Sequence, residues 1–232
     1  AIKVGAITGV IVYFIDAIWW FNMPAGPNYP AGTFVREYWI GGIRMPRPLG
    51  EYFWVKFGAD FMMTFSYAMF AFGWLLTIYK SYNKGDKKKM ILFTSLFFGS
   101  WMLTPILSKL IPLNDTSVET VRYMDTQMGV WIANVIIGYS IIGIIYGTNL
   151  FNKKNYKIIG FVFLTGVAES FIMEFPLWIT GIRPTGIMFL LFELMILFNQ
   201  AITSLFLIWD IFWPFTNKKL KKILKKDKKI EI

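Results

Sequence analysis

The chain has 232 residues, of which 56% are hydrophobic and 16% are charged, and its mean hydropathy is +0.50. Soluble domains carry about a quarter charged residues, and here the apolar residues form long runs, so the composition argues against a soluble domain. Cys and His are both absent. Their absence excludes disulfides, Cys nucleophiles, zinc or copper sites built on thiolate or imidazole, and His-based acid–base chemistry. We therefore predict no metal site and no cofactor.

Six apolar runs predict an all-α integral membrane protein with a six-transmembrane helix bundle. Each run is long enough for a helix across a hydrocarbon core of about 30 Å. The predicted spans cover residues of about 5–22, 52–79, 90–111, 128–150, 158–179 and 185–213. The predicted domains are this bundle over residues 1–215 and a basic cytoplasmic tail over residues 216–232.

The distribution of lysine and arginine predicts that both termini are cytoplasmic. The two ends and the connections after the second and fourth spans carry 17 of the 24 basic residues. The connections after the first, third and fifth spans, with the adjoining helix ends, carry the other 7, including all five arginines. Positive charge marks the cytoplasmic side of membrane proteins. The net charge of +10 is therefore a topology signal and does not indicate nucleic-acid binding. We predict a multi-pass protein of the cell membrane.

Three connections lie on the predicted outer side, at residues 23–51, 112–127 and 180–184. The first contains Pro, Gly and aromatic residues, which favour an ordered cap because structureless loops of this length are unusual. The second is a shorter polar loop, and the third is a tight turn. The basic tail has apolar residues at helical spacing, so it is expected either to lie on anionic lipid or to act only as a topology anchor.

Carboxylates inside the spans are the main functional signal, because ionisable groups in a membrane are costly and often mark function. At about 1.5 Å per residue, Asp16, Asp60 and Glu193 lie roughly 10–12 Å below the outer ends of their helices. Glu169 lies near mid-membrane, and Asp210 is expected near the cytoplasmic interface. We find no lysine or arginine at mid-depth beside these acids, so we expect them to be largely neutral.

Polar stripes on the helices predict a carboxylate and aromatic site in the outer half of the membrane, since such stripes cannot face lipid cheaply. The candidate acids or bases are Asp60, Glu169 and Glu193. The candidate substrate-binding residues are Asp16, Tyr67, Trp101, Trp131, Asn134, Glu174 and Gln200. The alternative is that the acids are hydrogen bonded between helices and that the aromatics are plain packing.

Outer arginines form a second candidate site. Arginine clamps phosphate or carboxylate groups through paired N–H donors. The candidate anion-binding residues are Arg36, Arg44, Arg47 and Arg183. They can equally pair with acids of the outer loops.

The first four spans resemble the four-span layout of the emopamil-binding and sigma-2 group. The shared features are the long outer loop after span 1, the acid in "WVKFGADFMMTFSYAMFAFGW", a basic inner turn, and "TPILSKLIP" at the end of span 3. The resemblance covers about 150 residues. The sterol isomerases of that family resemble this chain in their acids, but they use a catalytic His, which is absent here.

Three functions remain open at this point. A hydrophobic lipid, isoprenoid or sterol-like, would be bound or transformed by acid-catalysed isomerisation or cyclisation. Alternatively, the chain is a non-catalytic subunit of a larger membrane complex, with protein partners. The third function is a proton- or cation-coupled carrier, although the sequence has no inverted repeat and no strongly broken helix pair. The sequence does not decide whether the protein is an enzyme.

Overall fold

The computed structural model describes residues 1–111 and 117–216. The predicted basic tail lies outside these residues from position 217 onward. Within them, six helices are long and apolar enough to span a membrane, and about 74% of the structure is helical. The predicted number of spans and their helical character are confirmed. The helices are α1 (Ile2–Asn22), α2 (Gly50–Asn83), α3 (Lys87–Leu110), α4 (Asp125–Gly147), α5 (Lys157–Ile179) and α6 (Ile187–Thr216).

A small β-sheet makes the fold less purely helical than the sequence predicts. Strand β1 (Arg36–Ile40) pairs antiparallel with β2 (Ile43–Arg44) and with β3 (Val118–Arg122), giving the order β2-β1-β3. Gly41 and Gly42 connect β1 to β2 with φ values of 55° and 78°. Two positive φ values are what a two-residue hairpin turn needs, and glycine adopts them without strain. Residues 36–44 of the 23–51 loop therefore form a hairpin, and the cap over the membrane stays a prediction.

Helices α1 and α2 pack closely because two glycines on α1 leave room for the backbone of α2. A Cβ atom at Gly5 would lie 2.3 Å from the carbonyl oxygen of Met69. A Cβ atom at Gly9 would lie 2.9 Å from the carbonyl oxygen of Phe65. Small residues allow this approach between membrane helices, where van der Waals packing drives association. The close packing places the acids of the two helices near each other.

Three π-helical turns interrupt the spans, and each lies at a carboxylate. The turn Phe14–Trp19 contains Asp16, the turn Phe61–Phe65 begins directly after Asp60, and the turn Ile208–Phe212 contains Asp210. A π turn adds a residue to the helical turn and changes the direction of the side chains on it. These turns therefore aim acids that a regular helix would present differently.

The chain divides into two compact units. Among the described residues, those from Ala1 to Val130 and from Glu169 to Leu190 form the first unit, and those from Trp131 to Ala168 and from Leu191 to Thr216 form the second. Helix α6 is interrupted between Ile187–Ile196 and Asn199–Leu207. We did not predict this break from the sequence. It is the one such break among the described spans, so it does not form a pair.

The orientation of the chain stays a prediction, and the absence of Cys makes it easy to test. We expect an Ala31→Cys variant to react with a membrane-impermeant maleimide in intact cells. A Leu150→Cys variant should react only after the membrane is permeabilised. Both side chains are exposed, and neither substitution removes a lysine. The unmodified protein provides a zero background, and the reverse labelling pattern would overturn the assignment of sides.

Candidate functional site

Five charged residues of the first unit form a connected ion cluster: Asp16, Arg36, Lys56, Asp60 and Arg122. They come from α1, α2 and the sheet. We call this group the ion cluster. The side chains of Arg36, Lys56 and Asp60 are at most 7% exposed. The ion cluster is therefore a buried feature that joins the sheet to two membrane spans.

Asp60 is the most heavily engaged acid of the cluster. Its Oδ1 lies 2.7 Å from Nη2 of Arg36 and also accepts a hydrogen bond from the hydroxyl of Tyr38. Its Oδ2 lies 2.6 Å from Nζ of Lys56, four residues earlier on the same helix. Lys56 also donates to the carbonyl oxygen of Ala17 on α1, at 2.7 Å. Arg36, Tyr38 and Lys56 therefore occupy both carboxylate oxygens of Asp60.

Asp16 is held mainly by the sheet. Arg122 donates from Nη1 and Nη2 to the two carboxylate oxygens, both at 2.7 Å, in the bidentate geometry that arginine favours. Arg36 Nη1 lies 3.2 Å from Oδ2 of Asp16, and Thr64 donates to the same oxygen at 3.4 Å. Arg36 and Arg122 are directly opposite on β1 and β3. Asp16 therefore offsets the repulsion between two facing cations.

These contacts correct the expectation that the intramembrane acids have no cationic partner. It is wrong for Asp16 and Asp60. Arg36 on β1 pairs with both acids, and Arg122 on β3 pairs with Asp16. Burial alone would lower the pKa of Arg36, but Asp16 and Asp60 outweigh it and raise that pKa. Burial also raises the pKa of the Tyr38 hydroxyl. The cluster thus combines two carboxylates, three cations and a neutral phenol.

Glu174 belongs to a second polar group of the first unit. It pairs with Arg183, and it accepts a hydrogen bond from the hydroxyl of Tyr67 at 2.9 Å. The ring of Tyr67 packs edge-on against Trp101, with the centroids 5.6 Å apart. Trp101 donates its indole N–H to the carbonyl oxygen of Met173 at 3.0 Å. The structure therefore brings together Tyr67, Trp101 and Glu174, all of which the sequence selects, and Glu174 also has a cationic partner.

Glu169 differs from these acids. Its side chain is completely buried, and neither carboxyl oxygen has a hydrogen-bond partner among the described residues. It lies four residues before Met173, so it shares a face of α5 with the residue that Trp101 contacts. For Glu169, the expected lack of a cationic partner agrees with the described residues.

The second unit contains the other candidates. Glu193 and Trp131 are buried, and Gln200 is half-buried. Asn134 does not join them, because it is exposed on α4. The two acids Glu169 and Glu193 are in different units.

Asn199 is a buried polar residue of the second unit that the sequence analysis did not select. Its amide oxygen accepts a hydrogen bond from the hydroxyl of Tyr139, and its amide nitrogen donates to the carbonyl oxygen of Met195 at 2.9 Å. A Cβ atom at Gly166 would lie 2.2 Å from the amide oxygen of Asn199, so this glycine is needed for the side chain to fit. The helical spacing predicted the neighbouring Gln200 as a binding residue, but Asn199 is the residue that is fully buried.

The four candidate anion-binding arginines have different partners. Arg36 lies in the ion cluster, and Arg183 pairs with Glu174. Arg44 pairs with Glu37 and donates to the carbonyl oxygen of Gly32 at 2.7 Å. Three of the four candidates therefore neutralise acids of this chain.

Arg47 makes no ion pair within 4.0 Å among the described residues. Its guanidinium carbon lies 3.7 Å from the ring centroid of Phe21 and 3.8 Å from that of Phe34. Burial lowers the pKa of Arg47 to about 10. Arg47 and Arg44 border an open cleft of about 370 Å³. The lining residues are Gly32, Phe34, Arg44, Met45, Pro46 and Arg47, none of them an intramembrane carboxylate.

Lys56 and Arg122 are essential members of the ion cluster that the sequence analysis did not select. Lys56 stands four residues before Asp60, which is the spacing of a side-chain pair on one helix face. That signal is readable in the sequence. Arg122 has no comparable local signal, because its partner Asp16 is 106 residues away.

Replacing Asp60 with Asn tests whether the ion cluster holds the fold together. The change leaves Arg36 and Lys56 without their shared carboxylate, and breaking a buried ion pair in this way costs about 3–5 kcal/mol. We expect a marked drop in the thermal unfolding midpoint in detergent and faster proteolysis of the sheet. Glu51→Gln, the same type of change at an exposed acid, is the control and should stay within about 0.5 kcal/mol of the unmodified protein. Equal stability of the two variants would contradict this role.

No family model matches the chain, and no curated protein or solved structure matches it. The resemblance of the first four spans to the emopamil-binding and sigma-2 group is therefore not supported by a family match. The assignment to the membrane therefore rests on the six long apolar helices of the described residues. The chain is a membrane protein with several spans.

Proposed function

We propose that the protein binds a hydrophobic lipid, isoprenoid or sterol-like, and that Glu169 recognises the polar group of that lipid. The observation that carries the proposal is the complete burial of Glu169 with neither carboxyl oxygen bonded among the described residues. An ionised carboxylate in such surroundings is very costly, so the side chain is neutral. A neutral carboxyl group has one O–H donor and free acceptor positions.

A ligand that forms a hydrogen bond with Glu169 must fit among the mostly apolar side chains around it. An unsatisfied buried polar group costs about 1–3 kcal/mol, which a ligand regains when its hydroxyl or carbonyl group bonds there. The chain around Glu169, "FLTGVAESFIM", is mostly apolar, with Thr165 and Ser170 as its other polar residues. The rings of Tyr67 and Trp101 lie near the next turn of α5. Apolar walls with one convergent polar group are typical of sites for small hydrophobic ligands.

The same acid suits the isomerisation or cyclisation chemistry considered from the sequence. In a double-bond shift, the O–H proton of Glu169 would add to one alkene carbon and leave a carbocation on the other. Loss of a proton from the adjacent carbon to the carboxylate would form the new double bond and restore the acid. Asp60 is less suited to this role because three donors already hold its carboxylate. Glu193 is the second candidate acid, in the other unit.

Conservative substitutions at Glu169 test the lipid proposal. Native mass spectrometry of the purified protein, with lipid extraction of the same sample, should detect one bound isoprenoid or sterol-like lipid per chain. Glu169→Gln keeps a neutral donor and acceptor and should retain the lipid. Glu169→Leu removes both, and we expect about ten-fold less bound lipid, equivalent to about 1.4 kcal/mol. Glu51→Gln is the matched control at an exposed site.

Stability gives an independent measurement on the same variants. Since Glu169 has no bonding partner among the described residues, Glu169→Leu should raise the unfolding midpoint of the lipid-free protein. Stabilisation together with loss of lipid is the expected result. If the Leu variant is less stable, Glu169 has a structural role. If the unmodified protein carries no defined lipid, the proposal fails.

A second candidate function is a subunit of a larger membrane complex. The observation that favours it is the slight packing of two spans within the chain: only 11% of the most apolar stretch of α3 is buried, and 22% of that of α4. Such faces contact lipid or other chains. A chain that is unstable alone, or that co-purifies with other subunits and no defined lipid, would favour this function over lipid binding.

A further inference from the structure

We infer that a second copy of this chain docks on one face of α4, centred on Asn134, to form a parallel homodimer in the membrane. The face consists of Asn134, Ile137, Ile141, Ile144 and Thr148, which we call the Asn134 seam. The inference does not depend on the lipid proposal, because it concerns α4 and not Glu169 on α5.

The seam residues follow the spacing of a helix–helix contact. Their positions differ by three, four, three and four residues, which is the repeat that keeps one stripe facing a partner helix. The isoleucines at positions 137, 141 and 144 are 57%, 42% and 56% exposed. Another face of the same helix packs within the second unit, where Ile142 is 0% and Tyr146 is 2% exposed. The seam is thus separate from the surface that holds α4 in its own chain.

Asn134 is a polar residue in this apolar stripe, and its side-chain amide needs hydrogen-bond partners. It is the tenth residue of α4, so its side chain lies roughly 13 Å along a helix that spans the membrane. The side chain is exposed and makes no hydrogen bond within residues 1–111 and 117–216. Asn22 and Asn199, in contrast, donate to the carbonyl oxygen four residues earlier. An amide left open to hydrocarbon is costly, and lipid chains offer it neither donor nor acceptor.

A second copy meets this requirement with the same residue. An amide side chain has both donors and an acceptor, so two Asn134 side chains related by a twofold axis can bond each other. Copies inserted in the same membrane have the same orientation, so their α4 helices are parallel and bring the two residues to equal depth. Asparagine at one position of an apolar heptad seam is known to fix the register of parallel helices. The seam spans about 21 Å, which is most of the hydrocarbon thickness.

Cysteine cross-linking tests the seam directly, because the chain has no Cys of its own. Single-Cys variants are oxidised in native membranes, and the product mass is measured. We expect disulfide-linked products of twice the chain mass for Ile137→Cys, Ile141→Cys and Ile144→Cys. Ile132→Cys and Ile136→Cys, exposed on the same helix but outside the seam, should give little product. Equal cross-linking at all five positions, or products containing a different protein, would overturn the inference.

The contribution of Asn134 to the dimer affinity is measured by diluting the protein in detergent. Fluorescence energy transfer between labelled copies reports the fraction of dimer at each dilution. Loss of a hydrogen bond between membrane helices should weaken the dimer about 5- to 30-fold in Asn134→Leu. Asn134→Gln keeps the amide and should restore most of the affinity. Ile132→Leu, a change at an exposed position on another face of the helix, should leave the affinity unchanged. A dimer that is as strong in Asn134→Leu, or the absence of a dimer in the unmodified protein, would show that the seam has no such role.

Discussion

Charge neutralisation across the membrane boundary is the constraint on which the first unit depends. Asp16 and Asp60 lie within spans, and their cations come from two strands of the sheet and from Lys56 on α2. A single unpaired charge at that position would be costly. The sheet is therefore held to α1 and α2 by ion pairs as well as by packing. Glycines on α1 make the geometry possible by bringing the two helices together.

Four acids in the spans of the first unit fall into two kinds with different expected consequences. Asp16, Asp60 and Glu174 have cationic partners, so we expect their removal to disturb the fold. Glu169 has no such partner among the described residues, so we expect its burial to lower the stability of the fold. Residues that weaken a structure are often kept for function. This contrast is the reason for basing the functional proposal on Glu169 and not on the larger ion cluster.

Long-range hydropathy predicts the six spans, since each helix satisfies its own backbone bonds in lipid. The hairpin has a local signal in the sequence, because the Gly41–Gly42 pair separates two short runs that can form strands. Strand β3 and the pairing of Arg122 with Asp16 could not be predicted, because they join segments far apart in the chain. Asn134 was predicted to face inward with Trp131, but only Trp131 is buried. Spacing identifies a stripe, whereas the neighbouring helices decide what covers it.

The bidentate contact between Arg122 and Asp16 joins the first span to a strand that follows the third. The ribosome therefore synthesises Asp16 well before it synthesises Arg122. Until then the first span carries an acid with an incomplete set of partners, which must stay protonated or near water. The pairing of Asp16 with Arg122 is thus a late event in the synthesis of the chain, and it depends on β3 reaching α1. A chain interrupted before β3 would leave Asp16 without its bidentate partner.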